Sequence, residues 1–107
     1  MNFVSDVYNI TGQYPKEEQF GLTNQTRRSA VSIASNVAEG CGRSSNRQMI
    51  HFCSISRGSS FELETQIILG YNLNYIDKSD AERLLLEISE IQKMLEGLIT
   101  RLEQNQE

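Results

Sequence analysis

The chain has a single proline, Pro15, in 107 residues. Proline fixes φ and removes a backbone donor, so its near absence leaves room for long uninterrupted helices and disfavours a turn-rich sheet protein. No apolar run approaches the ~20 residues that a membrane span needs. The opening MNFVSDVYNI also lacks the basic stretch and apolar run of a secretory leader. These absences exclude a membrane partner and place the expected protein in the cytoplasm. Cys41 and Cys53 are too few for a disulfide framework, and each stands where a small apolar side chain would serve, so both are expected to be reduced and structural. There is one histidine. His51 lies two residues from Cys53, which on a helix points the two to nearly opposite sides, and Glu62 and Glu64 fail the same test as a carboxylate pair. No Glu stands three residues before His51, as a di-metal bundle would require. The glycines around Cys41 do not follow a strand, so no phosphate-binding loop is indicated. No catalytic residue, metal ligand or cofactor is expected.

What is present is helical periodicity over one domain, residues 1–107. A chain of this length buries somewhat over ~60% of its unfolded surface, enough for one core without much margin. The first segment, Asn2 to Thr11, sets Phe3, Val4, Val7, Tyr8 and Thr11 on one side and stops at Gly12. Pro15 is placed to start a short helical turn at PKEE. The second segment begins near Thr23. Its stripe of Leu22, Thr26, Ala30, Ile33 and Val37 is widened by Val31, Ala34 and Ala38, and Gly40 with Gly42 ends it. Ser45 and Gln48 form a capping box for the third segment. There Met49, Phe52, Cys53, Ser56, Ser60, Leu63 and Ile67 share one face, while Ile50, Phe61 and Ile68 occupy a second and Ile55 and Leu69 a third. A helix apolar on several sides must be covered on several sides, which implies a neighbouring subunit. The last segment steps Leu84, Ile88, Ile91, Leu95, Leu98, Leu102, a bundle seam flanked by charge. Short connectors make successive helices antiparallel neighbours, so the expected fold is all-α, an antiparallel up-down-up-down four-helix bundle.

The net charge of −4 is unevenly spread. Arg27 to Arg57 carries five arginines against the single acid Glu39, whereas Glu62 to Glu107 carries ten acids against four bases. Such a split can attract a polyanion locally or hold subunits together, while the overall acidity opposes strong non-specific nucleic-acid binding. Within RRSAVSIASNVAEGCGR, the residues Arg28, Ser32, Ser35 and Glu39 form a polar ridge at spacings of four, three and four, with Asn36 at its edge. Arg57, Glu62 and Glu64 in SRGSSFELETQ read in three ways. They form a solvated face, or an ion-pair network in which Arg28 or Arg57 pairs with Glu39, Glu62 or Glu64 across the two helices, or a site for an external polar partner. Arg27, Arg43 and Arg47, near the Gly-rich connector, are the residues expected to reach phosphates if RNA is the partner.

The stretch YPKEEQFGLTNQTRRSAVSIASNVAEGCGR, followed by ISRGSSFELETQIILG and an acidic amphipathic last helix, resembles the 23S rRNA intervening-sequence proteins. These are small bacterial bundles whose genes were first noticed inside insertions in large-subunit ribosomal RNA genes. The resemblance runs from Tyr14 to Leu102, and a more distant likeness is to the accessory variability protein of diversity-generating retroelements. It implies an antiparallel four-helix bundle assembled as a homopentamer, no established enzymatic activity, and association with RNA or a nucleoprotein partner. Arg28, Asn36, Glu39, Arg43, Arg57, Glu62 and Glu64 match the family's polar signature and are expected to share one polar surface. Ala34 stands where the family usually has Pro, so the second helix is expected without that kink. Members generally begin about three turns earlier, so the first helix is expected to be short.

Overall fold

The computed structural model describes residues 2–105; Met1, Gln106 and Glu107, the ends of the expected 1–107 domain, lie outside the described residues. Four α-helices follow in order: α1 (Asn2–Thr11), α2 (Leu22–Cys41), α3 (Asn46–Asn72) and α4 (Lys78–Gln104), with a 3₁₀ turn at Lys16–Glu18 between the first two. Among the described residues there is no strand, and no helix is long and apolar enough to cross a membrane. α1 packs on α2 and α4, α2 on α3, and α3 on α4, the square arrangement of an all-α up-and-down bundle.

Local chemistry sets the boundaries. Ser45 Oγ accepts from Gln48 N at 3.2 Å and starts α3, and Asp77 Oδ1 accepts from Asp80 N at 2.8 Å and starts α4. α2 has no side-chain cap at Gly21; instead Glu18 Oε1 reaches forward to Leu22 N at 3.1 Å. α3 ends where Asn74 takes a left-handed conformation, φ 65°, with Tyr75 N donating to Gly70 O and Asn74 N to Tyr71 O, a Schellman closure. With Ala in place of proline at position 34, α2 runs unbroken.

The main core joins Phe3, Val7, Ile10 and Tyr14 to Ala30 and Ile33 of α2, Leu63 and Ile67 of α3, and Leu84 and Ile88 of α4. A smaller cluster of Cys53, Leu95 and Ile99 fills the other end. Several positions depart from the expected stripes: Val31 and Ala38, expected to widen the stripe of α2, are exposed. Tyr8 is exposed while Ile10 and Tyr14 are buried, and Ser29 is buried between the helices. α2 and α3 approach through small side chains: Ser56 Oγ donates to Ile33 O at 2.8 Å, and the hydroxyls of Ser32 and Ser59 meet at 2.7 Å.

At one end of the bundle the Tyr14 and Tyr75 rings lie 5.3 Å apart and Tyr75 Oη donates to Glu18 Oε2 at 2.9 Å. The Tyr14 hydroxyl is pressed against Gly70, and a Cβ there would stand inside its van der Waals shell. α1 is tied to α4 by Arg83, which donates to Asp6 Oδ2 at 3.1 Å and to Asp80 Oδ1 at 3.3 Å, with Glu87 Oε1 3.6 Å away. Burial pushes the Glu87 carboxyl up, helped by the nearby Asp6 charge and opposed by Arg83.

Gly70→Ala overpacks the Tyr14 contact and is expected to cost roughly 1–3 kcal/mol of unfolding free energy. Gly97→Ala, on α4 with open space over the site, is expected to add about 0.5–1 kcal/mol by helix propensity. Urea titration reads both, and effects of equal sign would refute the assigned packing. For Glu87, folding raises the pKa, so the ionised carboxylate destabilises the fold above its folded pKa and that penalty vanishes as pH falls below the unfolded value. Glu87→Gln should therefore raise the melting temperature near neutral pH and match the parent protein at pH values below the usual carboxylate range. A gain that persisted in acid would contradict the assignment.

Candidate interaction surface

The outward face of α2 carries Asn24, Arg28, Val31, Ser35 and Glu39, and its α3-facing edge carries Ser32 and Asn36. Asn36 Nδ2 donates to Ser32 O at 2.9 Å and to Ser32 Oγ at 3.0 Å, while the Ser32 hydroxyl meets Ser59 across the helix pair. Asn36 thus locks the ridge to the helix junction. A shallow polar groove runs alongside, bounded by Gln25, Arg28 and Ser32 of α2 and by Ser59, Glu62 and Gln66 of α3. Gln66 Oε1 is buried there with no hydrogen-bond partner among the described residues. An unpaired buried acceptor is costly, so this groove offers a position that a donor would satisfy. A second groove on the other side of Arg28 is floored by Tyr8, Val31 and Ser35. Arg28 and Ser32 form the divide between the two.

The expected cross-helix ion pair does not form. Among the described residues no salt bridge joins Arg28 or Arg57 to Glu39, Glu62 or Glu64. Glu39 pairs one turn on with Arg43, whose guanidinium lies 4.9 Å over the Phe52 ring. Glu64 accepts from Gln92 Nε2 of α4 at 3.0 Å. Arg57 is seven residues before Glu64 and so shares that α4-facing flank, turned away from α2. Glu62 does reach the groove beside Arg28. The signature residues therefore divide, with Arg28, Asn36, Glu39 and Glu62 on the α2–α3 side and Arg57 and Glu64 on the α3–α4 side.

The three arginines expected near phosphates also separate. Arg27 is committed inside the fold: Nε donates to Thr11 Oγ1 at 2.8 Å, Nη2 to Tyr8 O at 3.2 Å, and the guanidinium covers the Tyr8 ring at 4.6 Å. It closes the C-terminal turn of α1, where carbonyls lack helical donors. Arg43 is held by Glu39 and Phe52, and of these three it is Arg47 that stands exposed without an ion pair among the described residues. The Asp6–Arg83–Glu87 group was not singled out from sequence, although Asp80, Arg83 and Glu87 at spacings of three and four signal one charged helix face. Among the described residues no group of three or more His, Cys, Asp or Glu side chains is placed to hold a metal ion.

A family model described as 23S rRNA-intervening sequence protein matches residues 1–97. No curated protein matches the chain. A crystal structure of a protein of unknown function from the S23 ribosomal protein family of Bacteroides thetaiotaomicron superposes with a TM-score of 0.79 at 24% identity, over 90% of this chain and 87% of that one. At that identity the likeness shows the shared bundle fold.

Proposed function

We propose that this chain, which belongs to the 23S rRNA-intervening sequence protein family, is a non-enzymatic cytoplasmic building block that assembles with copies of itself and presents its α2 ridge to another macromolecule. The observation that carries the assembly is the outer side of α3. Ile55, Phe61, Ile68 and Leu69 are exposed there on two flanks, and Gly58 between them has open space where a Cβ would stand. A glycine inside a helix costs about 1 kcal/mol relative to alanine, and large apolar side chains beside a bare stretch of backbone suit the close approach of another helix. Ile50, in contrast, packs against the smaller core cluster and is not part of this face. The homopentamer implied by the resemblance is the assembly proposed.

Sedimentation at micromolar concentration tests this directly. The parent protein is expected to sediment as an oligomer, and Phe61→Glu with Leu69→Glu as a folded monomer. A parent protein that is already a stable monomer would remove both the self-assembly and the pentamer.

Arg28, Arg47 and Arg57 are among the cations without an acidic partner in the described residues, and they lie in the stretch from Arg27 to Arg57 that carries five arginines against the single acid Glu39, which favours RNA as a second reading of the partner. Phosphate contacts release counterions, so neutralising all three is expected to weaken RNA binding and to flatten the slope of log K against log salt by ~2 to 3 units. Neutralising Arg27 instead should act through loss of α1 docking, visible as lower thermal stability. Absence of RNA binding at ~50 mM salt, where electrostatic binding is strong, or binding indifferent to the triple change, would leave a protein as the partner.

A further inference from the structure

Phe20 is the most exposed large apolar side chain among the described residues, at 87%. Its main chain is nonetheless held on both sides. Gln19 N donates to Lys16 O at 3.1 Å and Gly21 N to Glu18 O at 3.0 Å. The Glu18 carboxylate, bonded to Leu22 N and to the Tyr75 hydroxyl, fixes the same turn to the rest of the bundle. The ring is therefore presented to solvent by a preformed turn, which lowers the ordering cost of any contact it makes.

The same pole has a place for such a ring. Between the end of α3 and the start of α4 lies an apolar pocket of about 160 Å³, walled by Ile68, Tyr71, Ala81 and Leu85. An apolar cavity of about 150 Å³ takes a benzene ring. Lys78 and Glu82 line it through their aliphatic stems, and both are exposed, so their charged ends stand at its rim.

Antiparallel packing brings the start of α2, the end of α3 and the start of α4 to one pole, so knob and pocket stand at the same height. Phe20 belongs to the α1–α2 connection, whereas the pocket lies between α3 and α4, the opposite edge of the square. Phe20 thus does not reach the pocket of its own chain, but it is placed to enter that of a second copy standing alongside in the same direction. The flanking charges are complementary. Lys16 and Glu17 precede the knob, Glu82 and Lys78 border the pocket, and none of the four forms an ion pair among the described residues. Ile68 also belongs to the exposed α3 face, so the pocket is continuous with the surface assigned to assembly.

We infer that Phe20 of one copy inserts into the α3–α4 pocket of the next, with Lys16 and Glu17 set against Glu82 and Lys78. The contact is head to tail: each copy offers its knob to one neighbour and its pocket to the other, which generates a ring when the rotation closes. This rests on the self-assembly reading and names the residue that a neighbouring copy contributes to it.

Sedimentation of two variants and of their mixture tests the contact. Phe20→Ser removes the knob and Ile68→Glu places a charge in the pocket. Both positions are exposed, so circular dichroism and melting temperature should stay those of the parent protein. For each variant alone the dissociation constant should rise at least ~30-fold, the loss expected of a buried aromatic anchor. Mixed in equal amounts, at a concentration where each alone is a monomer, they should form a heterodimer that grows no further. The intact knob of one enters the intact pocket of the other, and no second pair is left. An oligomeric parent protein whose assembly is indifferent to Phe20→Ser would overturn the inference and leave self-assembly standing. A mixture that stays monomeric would overturn the head-to-tail pairing, and a monomeric parent protein would overturn both readings.

Discussion

How closely α2 and α3 can approach governs the rest of this bundle. Thr26, Ser56 and Ser60 are fully buried, with Ser29 and Ser59 nearly so, and Gly40 lies so near Phe52 that an added Cβ would stand 3.2 Å from the Phe52 Cβ. Small side chains allow this, but each brings a hydroxyl that must be satisfied away from water. Three of them are satisfied by main-chain carbonyls: Thr26 at Leu22 O, Ser56 at Ile33 O and Ser60 at Arg57 O. The Ser56 bond crosses between helices, so it fixes register as well as closing a polar atom. With small residues filling the junction, the larger apolar side chains of α3 are left for α4, for α1 and for the outside. The exposed apolar flanks of α3 thus follow from the way it packs on α2.

The element boundaries were legible wherever the signal was a short-range chemical one. Gly12 after Thr11, Pro15 ahead of the 3₁₀ turn and Ser45 with Gln48 correspond to observed boundaries, and Leu84, Ile88 and Leu95 of the last seam are buried while Ile91, Leu98 and Leu102 are only half-buried. Side-chain destinations at the ends of stripes were less legible. Tyr8 fits the first stripe by spacing, but the chain turns after Thr11 and brings Tyr14 back over the core, while Arg27 draws the Tyr8 ring outward. A wheel projection of one helix does not contain the loop that returns to it. Ile99 was missed for a related reason: it lies next to Leu98, and only the neighbouring helix decides which of the two enters the core.

Charge pairing was the least legible part of the site. Opposite charges on adjacent helices suggested an ion-pair network between α2 and α3, yet the serine junction occupies that interface and turns the long side chains to its edges. There each finds a nearer partner: Glu39 with Arg43, Glu64 with Gln92, Arg27 with the end of α1. Surface pairs one helical turn apart contribute only a few tenths of a kcal/mol, so these contacts position side chains more than they stabilise the fold. Arg28, with its groove and the unpaired Gln66 oxygen, is left as the polar centre of the α2–α3 face.

Glu18 has a consequence beyond capping. One carboxylate oxygen holds the first amide of α2 and the other holds the Tyr75 hydroxyl, so a single side chain ties together the two connections that meet at that end, 57 residues apart in sequence. Tyr14, Gly70 and the left-handed Asn74 close the same end. The opposite end has only the short link from Gly42 to Ser45 and lacks the cover of α1. Opening free energies within a native domain follow local contact density. Backbone amides should therefore exchange with solvent fastest around Cys41 and the last turns of α4 and slowest around Leu22 and Gly70. The pole that Glu18 ties together is thus expected to be the stiffer of the two, and it keeps that stiffness while carrying exposed apolar side chains such as Phe20 and Leu73.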